Sequence, residues 1–393
     1  MTAATTPITE SLLGVYRRAP MEFTRADGVR LYDADGHAWL DFAAGIAVNA
    51  LGYNDAGVKR AMLEALDTGL IHVSNLYRTD AGERLADKLV AASFADSVFF
   101  CNSGGEANEG AFKMARKWGK VVGGTAKHEI IALRGAFHGR LFGSLAATDR
   151  PQYRNAFRPL AGGIHIHERD MKELSEVISD ETTCAVVAEP IQGEGGVRVL
   201  DEGFVRELRA LTKERNVLLI LDEIQCGYGR TGTFFAHEQF GITPDLLTIA
   251  KPMANGLPMG AVLLTKQVAD AMQPGDHGTT FGGGPLVAHV ANHVFDRVHD
   301  PRLLEHVRTE GAWLGEQLAG IKRRSPKVRA VRGRGFMWGV DVTDPARDVV
   351  ARAVEQGLLI VSAGDHTLRL LPPLVMGRDD LQAGLEKLEA AIG

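Results

Sequence analysis

Val217-Leu218-Leu219-Ile220-Leu221-Asp222-Glu223 joins five apolar side chains directly to two carboxylates. A run of five apolar residues without alternation reads as a strand buried on both faces, as in a sheet covered by helices on each side. The same reading extends outward to strands at 97–100, 129–133, 184–189, 246–250 and 261–264. Helical spacing at 106–117, 171–178 and 204–215 fills the intervals, so the chain reads as α/β with a mostly parallel central sheet. Further on, 285–319 reads as one or more long helices, and 328–342, 346–355 and 367–371 as a smaller α+β unit. Alternation around Asp27-Gly28 and Asp35-Gly36 gives 23–42 hairpin character. The expected plan is an N-terminal segment, 1–50, packing with a small C-terminal domain, 291–393, and a large domain, 51–290, that carries the site. No internal repeat or low-complexity linker interrupts it.

Composition narrows the function. The chain has 393 residues, 45% hydrophobic and 24% charged, with a net charge of −5. Those values exclude a disordered or collagen-like chain, and without a basic run no nucleic-acid surface is expected. Glycine numbers 45, about 11% against a usual ~7%, which suits loops that press backbone against a ligand. Cys101, Cys184 and Cys226 form neither a C-x-x-C pair nor an even set, so no disulfide framework or zinc ribbon is expected. No apolar run approaches a membrane span, and the first twenty residues lack a secretory pattern. The expected compartment is the cytoplasm.

Ligands of open α/β sheets bind beyond the carboxyl ends of the strands. Here five such ends are polar: Asn102-Ser103-Gly104-Gly105, Phe137-His138-Gly139-Arg140, Glu189, Asp222-Glu223 and Lys251. Ser103-Gly104-Gly105-Glu106 fits a helix capping box, and its two glycines equally suit a phosphate at a helix N-terminus. Asp222 ends a buried strand, where a carboxylate is either a surface acid or the partner of a protonated heteroaromatic nitrogen. Lys251 follows Leu-Leu-Thr-Ile-Ala; lysine in that position is a candidate for a desolvated amine of lowered pKa. Gly227-Tyr228-Gly229-Arg230-Thr231-Gly232 matches G-x-G-x-x-G, but no helix pattern starts at its last glycine. An NAD-dependent oxidoreductase is therefore a weak alternative. His165 and His167 share a strand face without a third ligand, so no metal site is expected.

Taken together, Leu221-Asp222-Glu223-Ile224-Gln225, Gly229-Arg230-Thr231-Gly232, Pro244-Asp245 and Ala250-Lys251 resemble the class III aminotransferases. These are pyridoxal 5'-phosphate enzymes of fold type I, the aspartate-aminotransferase-like fold, and the similarity runs from about Tyr16 to Pro373. The resemblance implies that Lys251 carries the cofactor and shuttles the proton. It places Asp222 on the pyridinium nitrogen, Phe137 and His138 at the ring, Gln225 near the phenolic oxygen and Glu189 close by. Ser103, Gly104 and Gly105 would cradle the phosphate, joined by Thr280 from the partner of a homodimer. Tyr16, Arg140, Glu194 and Arg369 would bind substrate. In that scheme the two arginines clamp carboxylates, and Glu194 covers Arg369 when an ω-amine is bound. Ala43-Ala44-Gly45-Ile46-Ala47-Val48-Asn49 and Ser74-Asn75-Leu76-Tyr77 look most like enzymes that pass the δ-amino group of N-acetylornithine to 2-oxoglutarate. The products would be N-acetylglutamate semialdehyde and glutamate, in arginine biosynthesis. Ornithine, N-succinylornithine and γ-aminobutyrate are the alternative donors. The family usually has Thr where this chain has Gly105 and Cys226, and Asn at Gly284.

Overall fold

The computed structural model describes residues 11–393. At its centre is a seven-stranded sheet with the order Ser97–Cys101, Gly260–Leu264, Leu246–Ile249, Leu218–Asp222, Thr183–Ala188, Glu129–Leu133 and Ile164–His167. The last five of these pair parallel. Gly260–Leu264 is antiparallel to both neighbours, which leaves Ser97–Cys101 running with the parallel set. The link from Ile249 to Gly260 holds only a short 3-10 turn, Lys251–Ala254, too little for a parallel crossover. The chain therefore turns back beside the strand it has just left.

The unbroken apolar runs have a direct cause. Leu219 and Leu221 enter the apolar layer on one face, Leu218 and Ile220 the layer on the other. Both faces are dry, so alternation disappears. Helix Gly104–Gly123 supplies one cover, burying Ala107, Asn108, Ala111, Phe112, Ala115 and Trp118. Truncating an enclosed leucine such as Leu219 would cost about 2–5 kcal/mol through lost contacts and the cavity left behind.

The long pattern after 285 is two helices, Pro285–Val298 and Pro301–Arg324. Asp300 caps the second by accepting from the Arg302 N–H at 2.9 Å, and Pro301 occupies its first turn. Beyond it, Val328–Arg334, Met337–Val342, Thr367–Leu370 and Val361–Ser362 form a separate antiparallel sheet. The N-terminal strands Arg25–Asp27, Arg30–Tyr32 and Ala38–Asp41 form a meander, and Ala38–Asp41 pairs in parallel with Leu358–Leu359. Those pairings tie the first described strands to the C-terminal part of the chain. Among the described residues, no helix is long and apolar enough to cross a membrane.

Candidate active site

Because six of the seven strands share one direction, their carboxyl ends meet at one edge. Asp222, the last residue of its strand, is buried there. Its Oδ2 accepts from Asn108 Nδ2 at 2.8 Å and lies 2.7 Å from His138 Nδ1, while Oδ1 accepts from the Ile224 N–H at 3.1 Å. Asn108 also donates to the His138 carbonyl at 2.7 Å and accepts from the Thr248 hydroxyl at 2.9 Å. Every polar atom of that amide is engaged, which fixes its orientation. Burial alone would lower the His138 pKa, but the hydrogen bond and charge of Asp222, with Glu189 behind, leave it raised. His138 Nε2 is buried without a partner among the described residues.

Glu189 follows the strand Thr183–Ala188 and accepts from the Phe137 N–H at 2.8 Å and the Gly193 N–H at 3.1 Å. It thereby ties the Phe137 turn to the loop bearing Glu194. Burial, helped by the charge of Asp222, pushes its pKa up to about 7 against the pull of His138 and both amides. Lys251 opens the 3-10 turn after the strand Leu246–Ile249. It keeps some exposed surface, yet its amine sits deep enough that burial lowers its pKa. Arg369 adds to that effect, whereas Asp222, Glu194 and Glu189 oppose it. No hydrogen bond or ion pair engages Nζ among the described residues.

Arg369 rises from the strand Thr367–Leu370 with its side chain only 2% exposed. Its Nη2 lies 2.6 Å from Glu194 Oε1, and its Nη1 donates to Gln225 Oε1 at 3.0 Å. A buried arginine is thus neutralised by one acid and hydrogen-bonded to one amide, while Nε has no partner among the described residues. At the opposite side, Ser103 Oγ accepts from the Glu106 N–H at 3.2 Å and Glu106 Oε2 accepts from the Asn102 N–H at 2.6 Å. The Ser103 cap read from the sequence is therefore present, but the return bond from Glu106 goes to Asn102, one residue before the N-cap, instead of closing the box on the Ser103 N–H. Gly104 permits a close approach, since a Cβ there would meet Ile224 at 2.8 Å. Gly105 differs: its nearest neighbour would be Leu141 at 3.6 Å, an ordinary contact.

Other expected residues stand apart in this chain. Phe137 is half-buried and meets Tyr153 edge-on at 6.3 Å. Arg140 is exposed, with its guanidinium 3.5 Å from the Tyr153 ring centroid and no carboxylate partner among the described residues. Tyr16 is 76% exposed. Thr280 is also exposed and lines a different cavity, about 910 Å³, with His72, Asn75, Tyr77 and Phe100. Among the described residues, no hydrogen bond or ion pair joins Tyr16, Arg140 or Thr280 to the buried cluster. The Thr280 loop is nonetheless anchored, because Asn75 Nδ2 donates to the Thr279 and Gly282 carbonyls at 3.0 and 3.1 Å. Asn102 Nδ2 adds a bond to the Thr279 hydroxyl at 3.1 Å.

Two features escaped the sequence reading. Asn108 lies on the buried face of its helix among Ala107, Ala111 and Phe112; a polar residue on that apolar face was the available signal. Ala44, Gly45, Ile46 and Ala47 all adopt positive φ, 48° to 66°. The Asp41 carboxylate holds this strained turn by accepting from the Ala43 and Ala44 N–H groups. Ala47 packs with Val197, Cys226 and Leu371 beside the arginine–acid pair.

Comparison with known proteins adds a second line. The family model described as aminotransferase class-III matches residues 15–392. The acetylornithine aminotransferase of Gloeobacter violaceus is 44% identical over 383 residues, which is 97% of this chain and 95% of that protein. The succinylornithine transaminase of Yersinia pseudotuberculosis is 41% identical over 395 residues, 98% of this chain and 95% of that protein. Among solved structures, the N-acetylornithine aminotransferase of Stenotrophomonas maltophilia superposes with a TM-score of 0.84 at 36% identity, covering 96% of each chain.

Proposed function

The chain belongs to the class III aminotransferases, which are pyridoxal-phosphate enzymes, and from that premise we propose that it moves the δ-amino group of N-acetylornithine to 2-oxoglutarate. The products are N-acetylglutamate semialdehyde and glutamate, a step of arginine biosynthesis. The observation that carries this reading is the buried Arg369 paired with Glu194 within electrostatic reach of Lys251.

The residues present fit the cofactor. Gly104 and Gly105 begin a 20-residue helix, and their N–H groups have no acceptor among the described residues, so a phosphate would complete that helix end. Ser103 stands at the same end. Oδ1 of Asp222 carries one N–H bond only, which leaves it free to accept from a ring nitrogen. Phe137, Gln225 and Glu189 surround the space between. Bound there, the cofactor supplies an electron-withdrawing ring that makes a substrate C–H acidic.

The chain's own groups do the rest. His138 and Asn108 hold the Asp222 carboxylate in place. Lys251, its pKa lowered by burial, would hold the cofactor, and its Nζ would take the proton from the substrate carbon that bears the transferred amine. Arg140, its planar fork set over the Tyr153 ring, is the clamp for the α-carboxylate of the amine donor in this reading. Glu194 stays on Arg369 while that substrate is bound, so no buried cation is left bare. When the dicarboxylate enters, its α-carboxylate replaces Glu194 on the arginine fork. Thr280 reaches the phosphate of a second subunit in a homodimer, and the large domain, 51–290, holds the cofactor. Three buried free thiols, Cys101, Cys184 and Cys226, suit a reducing compartment such as the cytoplasm.

A second reading, N-succinylornithine as donor, is favoured by the 41% identity to the Yersinia protein. Initial rates with 2-oxoglutarate and N-acetylornithine, N-succinylornithine, ornithine or γ-aminobutyrate decide between them. The highest kcat/KM belongs to N-acetylornithine; an equal or higher value for another donor overturns that choice. Borohydride reduction of the holoenzyme followed by peptide mapping tests the site, because the label belongs on Lys251 and on no other lysine.

A further inference from the structure

Three residues stand in one row across the C-terminal sheet. Arg332 pairs in register with Gly339, and Gly339 pairs with Arg369 on its other side. Residues directly opposite in antiparallel strands share a face, so the two arginines flank a position with no side chain. The loop bearing Glu194 lies over that gap. A Cβ on Gly339 would meet Val197 Cβ at 2.8 Å and the Gly196 carbonyl at 3.2 Å. The loop is therefore seated directly on the strand beside Arg369.

Two bonds pin it to this sheet, one from each flanking arginine. Arg369 holds the Glu194 carboxylate at 2.6 Å, and Arg332 Nε donates to the Gly196 carbonyl at 2.7 Å. Arg332 is itself oriented by Asp341, which takes both ends of its fork at 2.6 and 2.8 Å. Thr367, two residues before Arg369, donates its hydroxyl to Asp341 at 2.6 Å. The loop backbone is strained at this point: Gly196 has φ 98°, and the buried Val197 has φ 51°. Such a conformation persists only where its surroundings impose it. Arg332, which belongs to none of the groups assigned to chemistry, supplies one of those constraints.

We propose that Arg332 is a positioning residue for the Glu194–Arg369 pair. By clamping the Gly196 carbonyl to the sheet, it sets the share of molecules in which Glu194 covers Arg369. It thereby divides the pocket's affinity between an ω-amine donor and a dicarboxylate. This rests on the reading of Glu194 and Arg369 given above. Without the clamp, the covered state loses support, a dicarboxylate finds Arg369 free more often, and the amine donor meets an uncovered cation.

The test uses the holoenzyme and two readouts. One is the Kd of glutarate, an unreactive dicarboxylate with the carbon spacing of 2-oxoglutarate, measured by calorimetry. The other is the KM for N-acetylornithine. A clamp bond to a charged donor corresponds to a population shift of about ten-fold or more. Arg332→Gln is expected to tighten glutarate binding by about that factor and to raise the KM for N-acetylornithine. Arg332→Lys keeps a charge opposite Asp341, gives up the Gly196 bond, and should shift both quantities the same way; it serves where the Gln variant folds poorly. In a Glu194→Gln background the Arg332 change should add nothing. A merely structural role would weaken both ligands together. If Glu194→Gln moves the two in opposite directions and neither Arg332 variant does, the clamp is wrong and the acid–arginine reading stands. If Glu194→Gln moves neither, both fall.

Discussion

Replacing Asn108 by Ala tests whether Asp222 depends on the amide behind it. The side chain donates to Asp222 at 2.8 Å and to the His138 carbonyl at 2.7 Å, and accepts from Thr248 at 2.9 Å. Its bond to the carboxylate contributes about 1.5–3 kcal/mol, and each neutral bond about 0.5–1.5 kcal/mol. Asp222 keeps His138 and the Ile224 N–H, so the carboxylate stays paired but loses one of three restraints. If the whole charged bond serves to place Asp222 for chemistry, kcat falls by about 10- to 100-fold. Thr248→Val supplies the internal scale: it removes one neutral bond to Asn108 and leaves the Asp222 contact intact, so kcat should fall by about ten-fold or less. The assay is single-turnover rate with saturating donor, alongside thermal unfolding of both variants and the absorbance of bound cofactor as a function of pH. The spectroscopic midpoint should move in Asn108→Ala and hold in Thr248→Val. Unchanged kcat in Asn108→Ala, or a larger loss in Thr248→Val, would refute the argument that the amide acts through Asp222.

Arg369→Ala should damage the glutamate half-reaction more than the N-acetylornithine half-reaction, because Glu194 keeps the arginine from the amine donor. Losing a buried charged partner costs about 2–5 kcal/mol, roughly 30- to several-thousand-fold, and equal losses with both donors would contradict the switch. Glu189 holds its proton to about pH 7 in the folded chain against an ordinary 4.5. The folded state then binds more protons than the unfolded one between those values, so this group lowers stability as pH rises from about 4.5 to about 7. Glu189→Gln should flatten that slope in urea-unfolding midpoints taken at pH 5 and 8; an unaltered slope sinks the assignment. Thr280→Val should weaken cofactor retention by about ten- to a hundred-fold if its hydroxyl serves a second subunit's phosphate. Dissociation measured across protein concentration checks this, and monomers that hold cofactor as tightly as dimers would exclude it.

The sequence by itself determined the fold class, the family and the edge of the sheet at which the polar residues gather. Each of those rests on local pattern. Val217–Leu221 is apolar without alternation because both faces of the sheet are covered, and the acid that follows must then lie at the strand's end. The Ser103 cap was readable for the same reason, since its bond to the Glu106 N–H is made within four residues, whereas the return bond of Glu106 to Asn102 was not. Tertiary structure alone decided the partnerships. Asn108 sits in a helix more than a hundred residues from Asp222, and nothing local marks it as that carboxylate's support. Arg332, Gly339 and Arg369 form a row only once three strands are in register. Residues 278–283 read as a loose loop from their glycines, yet Asn75 and Asn102, distant in sequence, fasten them. The left-handed turn at Ala44–Ala47 has only Gly45 to announce it, and the strain at the three residues with side chains is borne by the Asp41 carboxylate and by packing with Val197 and Leu371. Pattern reports which face of an element is dry. Which side chain meets which across that dry space depends on register and crossing, and those are properties of the whole chain.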